Sequence, residues 1–143
     1  MKLALCICPQ WSVQTPSLAI GSLKSHINNK DVVVEQIDLN ILSSIHTKEK
    51  NIEKFWDWGN DKPWNSEANF QTEILPYFKD LWHEYIDKLA EYDVVAFTTY
   101  TSNIVTTDYI ARYVKQKNPK IQIWYGGPYS WYSDCSGLVE NDN

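Results

Sequence analysis

The sequence predicts an α/β fold, a parallel sheet with helices on both faces. Four short apolar segments alternate with stretches whose apolar residues recur at helical spacing. The third apolar segment, residues 93–98, is nearly continuous, as expected of a central parallel strand covered on both faces. Because each pair of strands is joined by a helix-length connection, we expect right-handed crossovers.

The predicted elements follow in order from the first residues. Residues 2–7 form a short buried strand, and Ser17 caps a helix after Pro16. Asn28-Asn29-Lys30 ends that helix, and residues 32–37 form the second strand. Asn118-Pro119 stops a later helix because proline cannot continue it. The remaining predictions are a helix at 72–90, a strand at 93–98, a helix from Asn103 or Thr106, and a strand at 121–125.

Residues 41–73 are interpreted as an aromatic-rich insertion. They hold Trp56, Trp58, Trp64 and Phe70 among polar residues. We expect one short helix at 51–56 and irregular chain beyond it. A long loop in a compact domain is usually functional or disordered, and the aromatic content argues against disorder.

The four predicted strands are one fewer than a Rossmann-like sheet of flavodoxin type normally has. The missing fifth strand would follow the last Gly-Gly-Pro turn and one more helix. We therefore expect residues 1–143 to be a single domain, truncated before its fifth strand and cut from a longer protein.

Composition and charge exclude several classes of partner. The chain has 13 basic and 18 acidic residues, a formal charge of -5, and no basic run of the kind that binds nucleic acid. No segment approaches the ~20 apolar residues of a membrane helix. Three cysteines without a Cys-x-x-Cys pair fit a reducing compartment. We expect a cytoplasmic protein with neither a nucleic-acid nor a membrane partner.

Motifs for catalysis are missing from the sequence. His26, His46 and His83 lack a partner arrangement, and no nucleophile elbow or glycine-rich phosphate loop is present. No cluster has metal-ligand spacing, and Asp38 is the only acid at the end of a predicted strand. The sequence therefore predicts neither catalytic residues nor a metal site within this chain.

A polar rim at the carboxyl edge of the sheet is the candidate site. Ligands of open α/β sheets bind outside these strand ends. Thr101, Ser102 and Asn103 can hydrogen-bond a ligand, and Gly126 and Gly127 allow close approach to the backbone. Pro16 and Ser17 face the same edge. These residues suit a large, flat, amide-fringed ligand, but the same residues could simply cap a helix and turn the chain.

Several segments together resemble a known family. In order they are Pro16-Ser17-Leu18-Ala19-Ile20-Gly21-Ser22-Leu23, Val34-Glu35-Gln36-Ile37-Asp38-Leu39-Asn40, Tyr92-Asp93-Val94-Val95-Ala96-Phe97-Thr98, Asn118-Pro119 and Gly126-Gly127-Pro128. Their order and spacing are similar to the N-terminal cobalamin-binding domain of radical S-adenosylmethionine enzymes. The resemblance covers most of the chain except residues 41–90.

The resemblance implies a function and a set of contacts. The domain would bind cobalamin, and a downstream domain of the same polypeptide would carry an iron–sulfur cluster and S-adenosylmethionine, as in methyltransferases of this family. The corrin would contact the loop Tyr100, Thr101, Ser102 and Asn103, the turn Gly126, Gly127, Pro128 and Tyr129, and nearby Pro16 and Ser17.

The chain departs from the family pattern at three points. The Asp-x-His-x-x-Gly motif is absent, so no histidine lower ligand is expected. The turn ends in Tyr129, where relatives often have histidine. Cys6, Cys8 and Cys135 cannot form the Cys-x-x-x-Cys-x-x-Cys motif, so the radical chemistry would belong to the downstream domain.

Two other functions remain open. A degenerate domain could bind no cofactor and serve substrate recognition or docking to the downstream barrel through Trp56, Trp58, Trp64 and Phe70. A nucleotide-binding module is the third hypothesis, and the missing glycine-rich loop counts against it.

Overall fold

A computed structural model describes residues 1–14, 17–56 and 62–132 of the chain. The strands are β1 Lys2–Ile7, β2 Val33–Asp38, β3 Val94–Thr98 and β4 Gln122–Gly126. The α-helices are α1 Leu18–His26, α2 Leu39–Lys50, α3 Lys62–Asn65, α4 Glu67–Asn69, α5 Leu75–Leu89, α6 Ile104–Lys117 and α7 Tyr129–Tyr132. A 3₁₀ turn, Glu53–Trp56, follows α2, and a π-helical segment, Phe70–Ile74, leads into α5.

The sheet is parallel throughout, with strand order β2-β1-β3-β4. Leu3 pairs with Val34 on one side and with Val94 on the other, and Val94 also pairs with Gln122, so β1 and β3 are the central strands. This is the order of the first four strands of a flavodoxin-like sheet. The predicted α/β, Rossmann/flavodoxin-like fold is confirmed.

Alternating side chains divide the sheet into two faces. Leu3, Leu5 and Ile7 pack with Ile20 of α1 on one face. Ala4 and Val95 belong to the larger core on the other face, which α2, α5 and α6 cover. The prediction of helices on both faces is confirmed: α1 covers one face, and α2, α5 and α6 cover the other.

The interpretation of residues 41–73 as mostly irregular chain is wrong. A 12-residue helix, α2, follows β2 directly. Asp38 caps it, because its Oδ1 accepts a hydrogen bond of 2.9 Å from the amide of Ile41. The buried face of α2 consists largely of small polar residues, among them Ser43, Ser44 and Thr47. Apolar periodicity is therefore weak there, and the sequence pattern missed the helix.

Trp64 and Phe70 of this region join Phe78 and Trp82 of α5 in the core. Trp64, Phe70, Phe78 and Trp82 are all 0% exposed. The Phe70 and Phe78 rings each stack on Trp82, at centroid distances of 5.8 and 5.1 Å. The indole Nε1 of Trp82 donates to the hydroxyl of Ser43 across 2.9 Å, which ties α5 to α2. Trp58 lies outside the described residues.

The helix predicted at 72–90 begins differently in the structure. Its first turn is the π-helical segment, in which the amide of Leu75 bonds to the carbonyl of Phe70. Pro76 lies in the first turn of α5 and has no N–H to donate to the carbonyl four residues before it. A widened turn accommodates the proline without ending the helix.

Candidate functional site

The carboxyl edge of the sheet contains a topological switch point between β1 and β3. The chain leaves β1 toward β2 on one side and leaves β3 toward β4 on the other. A crevice forms where neighbouring connections diverge, and ligands of open α/β sheets bind there. The loops that follow β1, β3 and β4 therefore define the candidate site.

Asn103 braces the two central loops. Its side chain is buried, and its Nδ2 donates to the carbonyl oxygens of Cys8 and Thr98 at 3.3 and 3.1 Å. Its Oδ1 accepts a hydrogen bond of 2.8 Å from the amide of Tyr100. A fully buried amide that bonds three backbone groups serves the fold, and the expected contact of Asn103 with a ligand stays a prediction.

Ser102 is also engaged within the chain. Its hydroxyl donates to the carbonyl of Gln10 across 2.7 Å, and the Gln10 amide donates to the Ser102 carbonyl across 3.4 Å. These two hydrogen bonds join the loop after β1 to the loop after β3, in addition to the bonds of Asn103. A ligand can use the Ser102 hydroxyl only as an acceptor unless it breaks this bond.

The rings of Trp11 and Tyr100 stack face to face at the switch point. Their rings stack with a centroid distance of 4.0 Å and an interplanar angle of 15°. Both side chains are half-buried and pack on the α1 face of the sheet. Asn40 fixes the first loop by accepting a hydrogen bond of 2.8 Å from the Trp11 amide. We call this stacked pair the aromatic platform.

Sequence reasoning placed Tyr100 in the site and missed Trp11 as its partner. Trp11 follows the carboxyl end of β1, and Tyr100 follows that of β3. The two rings could be expected to meet only once β1 and β3 were known to be neighbours. The strand order had to be known before the two rings could be paired.

Gly127 has a role within the chain itself. Its φ is +102°, and a Cβ built on it would lie 2.7 Å from the carbonyl oxygen of Thr99. The amide and hydroxyl of Thr99 in turn donate to the carbonyl of Gly126, at 2.7 and 2.8 Å. The missing side chain therefore serves the contact between the loops after β3 and β4, and the close approach of a ligand to the Gly127 backbone stays a prediction.

Gly126 does provide open space. It is exposed, and no other heavy atom lies within 4 Å of a Cβ built on it. Thr101 and Pro128 are also exposed, and Tyr129 is half-buried with its amide donating to the Thr99 carbonyl across 3.2 Å. The structure thus brings the 100–103 loop and the 126–129 turn together, as predicted.

Ser17 lines a groove whose lining does not include Trp11 or Tyr100. This groove has a volume of about 810 Å³ and is lined by α1 and by Gln36, Asp38 and Ile41. Burial raises the pKa of the Asp38 carboxyl, and its bonds to the amides of Ile41 and Asn40 oppose that rise. Pro16 lies outside the described residues.

The three histidines lie away from the platform, and Cys6 and Cys8 are buried. His26, His46 and His83 contact the Ser22 carbonyl, the Tyr77 carbonyl and the Tyr109 hydroxyl, respectively. Cys6 and Cys8 are 0% exposed, and burial raises the pKa of the Cys6 thiol. Within 1–14, 17–56 and 62–132, no three His, Cys, Asp or Glu side chains are grouped to hold a metal ion.

Comparisons with known proteins identify no relative. No family model matches the chain, and neither a curated protein nor a solved structure matches it. A search of the described helices for a membrane span found none of sufficient length and apolar character.

Proposed function

We propose that this chain is the cobalamin-binding domain of a cytoplasmic radical S-adenosylmethionine enzyme, a methyltransferase whose barrel domain lies downstream. The observation that carries the proposal is the aromatic platform at the switch point, beside the open corner at Gly126. The family resemblance of the strand ends and turns supplies the identity of the ligand.

The chemistry of the platform suits a corrin. A corrin is a broad macrocycle fringed with amides, and it needs a flat apolar surface together with scattered hydrogen-bonding groups. An outer face of the Trp11–Tyr100 stack would offer that surface, and the exposed Thr101 lies in the loop beside it. None of the residues at 98–103 or 126–129 carries a charge, which suits a neutral fringe of amides better than a phosphate.

The chain's own residues would bind and orient the cofactor, not break bonds. When bound, cobalamin supplies a methyl carrier for the downstream radical domain. The three histidines lie on α1, α2 and α5 and contact Ser22, Tyr77 and Tyr109, away from the platform loops, so the proposal includes no histidine lower ligand. Asn103 and Ser102 would hold in place the two loops that carry the proposed binding surface.

Substitutions at Gly126 test the proposed contact. Gly126→Trp fills the open corner, whereas Gly126→Ala adds one methyl group to open space. Each variant is incubated with hydroxocobalamin under anaerobic conditions and desalted, and the retained corrin is read by visible absorbance. We expect retention by the alanine variant and loss in the tryptophan variant; equal retention by both would contradict a corrin at this corner.

A degenerate domain that docks to the downstream barrel is the second candidate. Trp124 favours it, because this β4 side chain is 50% exposed on the α1 face. Docking through Trp64 and Phe70, as expected from the sequence, is disfavoured because both are 0% exposed. If Trp124 is a docking residue, Trp124→Gln should lower the melting temperature of the full-length protein and leave that of residues 1–143 unchanged.

A further inference from the structure

The α1 face of the sheet is covered by α1 over only half of its width. Neighbouring strands lie ~4.8 Å apart, so four strands make a face about 19 Å wide, whereas a helix with its side chains is about 10 Å wide. The α1 helix contacts β1 and β2. The helices of the connections that lead to β3 and β4 pack on the opposite face. The area over β3 and β4 therefore matches the width of one more helix.

Trp124 lies in this second half of the face. Its partner on β3 is Ala96, which packs with the core under α1, so Trp124 lies on the same face as α1. Trp124 is 50% exposed, and Gln122 and Gly126 on either side of it along this face are exposed as well. Tryptophan is enriched among the residues that dominate binding at interfaces. The exposed indole is therefore a candidate anchor for a partner.

The surface of α1 is also more apolar than that of a helix with one covered stripe. Ile20 is buried, whereas Leu18 and Leu23 are 84% and 51% exposed. Lys24 is the only Lys, Arg, Asp or Glu among the nine residues of α1, whereas α5 carries five among fifteen. A helix whose apolar residues surround it is normally covered on more than one side. The sequence of α1 thus indicates a second contact in addition to its own sheet.

Helical spacing gives the two exposed leucines different directions. Successive residues of a helix are rotated by about 100°, so Leu18 lies on the opposite side of α1 from the buried Ile20 and faces away from the sheet. Gly21 faces β2, because a Cβ built on it would lie 3.7 Å from Nε2 of Gln36. Leu23 is nearly opposite Gly21 and therefore lies on the flank of α1 that faces β3 and β4.

We propose that two copies of this chain form a dimer in which each α1 covers the open half of the other sheet. A two-fold axis parallel to the strands turns the second copy over and places its α1 above β3 and β4 of the first. The same rotation seats the first α1 on the second copy. Trp124 of each copy then packs against Leu18 and Ser22 of the other, and the two Leu23 side chains meet near the axis.

The outward side of α1 suits this contact. Ser22 and Ser25 are small and exposed, which leaves space for an indole beside Leu18. The Ser25 hydroxyl already donates to the Ser22 carbonyl across 2.8 Å, so covering it leaves no donor unpaired. A two-fold axis across the strands would instead bring α1 onto α1 and leave both Trp124 side chains exposed. The observed surfaces therefore favour the axis parallel to the strands.

The dimer does not depend on the proposed cofactor, because the corrin contacts were placed in the loops beyond the strand ends. Two contacts of a nine-residue helix on a sheet make a small interface, near the lower end of the ~1,200–2,000 Å² of specific protein complexes. We therefore expect a dissociation constant in the micromolar range.

Sedimentation equilibrium of residues 1–143 without cofactor measures this association. We expect a monomer–dimer equilibrium that Trp124→Gln and Leu23→Gln each weaken at least tenfold. Ile45→Gln is the matched control and should leave it unchanged, because Ile45 is 48% exposed on α2, which packs on the opposite face. A chain that stays monomeric throughout the micromolar range would overturn the proposal, and this is the result expected if Trp124 contacts a downstream barrel instead.

Cysteine cross-linking tests the symmetry of the dimer. Leu23→Cys in a Cys135→Ser background places one accessible thiol of each copy near the axis, since Cys6 and Cys8 are buried. Mild oxidation should link this variant into a covalent dimer and leave Ile45→Cys in the same background monomeric. Equal cross-linking of the two variants, or a dimer that Trp124→Gln leaves unchanged, would show that the copies associate through another surface.

Discussion

Gly127 packs against the backbone of Thr99, and this contact joins the loops after β3 and β4. A Cβ at position 127 would lie 2.7 Å from the Thr99 carbonyl oxygen and 3.0 Å from its amide nitrogen. Both neighbours are backbone atoms, which cannot move aside as a flexible side chain would. The candidate site therefore depends on a glycine that a ligand need never touch.

Gly127→Ala should destabilise the fold by at least about 2 kcal/mol, because it combines a positive φ with a backbone clash. Chemical denaturation of purified variants measures the change. Gly126→Ala is the control and should be neutral, since its Cβ meets open space. Equal stability of the two variants would show that the loops can separate at low cost.

Asn103→Ala should lower the free energy of unfolding by about 2–4 kcal/mol, because it removes three hydrogen bonds from buried or half-buried backbone groups. The control is Asn29→Ala, which removes an exposed turn contact to the Asp31 amide and should cost less than about 1 kcal/mol. Urea unfolding followed by far-UV circular dichroism compares them. If Asn103→Ala lowers the free energy of unfolding no more than Asn29→Ala does, the hydrogen bonds of Asn103 do not stabilise the fold.

Ser43→Ala should destabilise the protein by about 1–3 kcal/mol by leaving the buried indole N–H of Trp82 without an acceptor. Ser44→Ala is the matched control, because this neighbouring buried serine makes no side-chain hydrogen bond within the described ranges. Thermal unfolding monitored by near-UV circular dichroism compares the two variants. A larger loss for Ser44→Ala would contradict the assigned bond.

Asp38→Asn should stabilise the protein at neutral pH. Burial raises the pKa of Asp38 in the folded state, so the folded protein binds this proton more tightly than the unfolded chain does. Stability from this group is highest below the unfolded pKa and is lost as the pH rises through the folded pKa. The advantage of the variant should therefore fade as the pH falls below the ordinary value of 3.8. Chemical denaturation of both proteins across pH 3–7 checks this prediction. A stability advantage of the variant that grows as the pH falls would contradict it.

The sequence was sufficient for the sheet and for α1 and α6, because apolar runs, Asn118-Pro119 and the last Gly-Gly-Pro turn mark their limits. It was insufficient for α2, whose buried stripe of Ser43, Ser44 and Thr47 lacks the apolar period of a helix. The burial of Trp64 and Phe70 was also missed, since aromatic residues in a polar segment do not reveal their partners.

The candidate site was predictable in position but not in detail. Parallel strands bring their carboxyl ends to one edge, so the loops could be placed from the sequence. The bonds of Asn103 to Cys8 and of Ser102 to Gln10 could not, because each joins residues more than 90 positions apart in the chain. Contacts of that range depend on the strand order.

Anaerobic titration of residues 1–143 with hydroxocobalamin and methylcobalamin, read by visible absorbance after desalting, tests the central claim most directly. The account predicts retained corrin at close to one equivalent, with absorption bands that lack the signature of an axial imidazole. A chain that loses all corrin on desalting would contradict the claim that the aromatic platform and the Gly126 corner hold this cofactor.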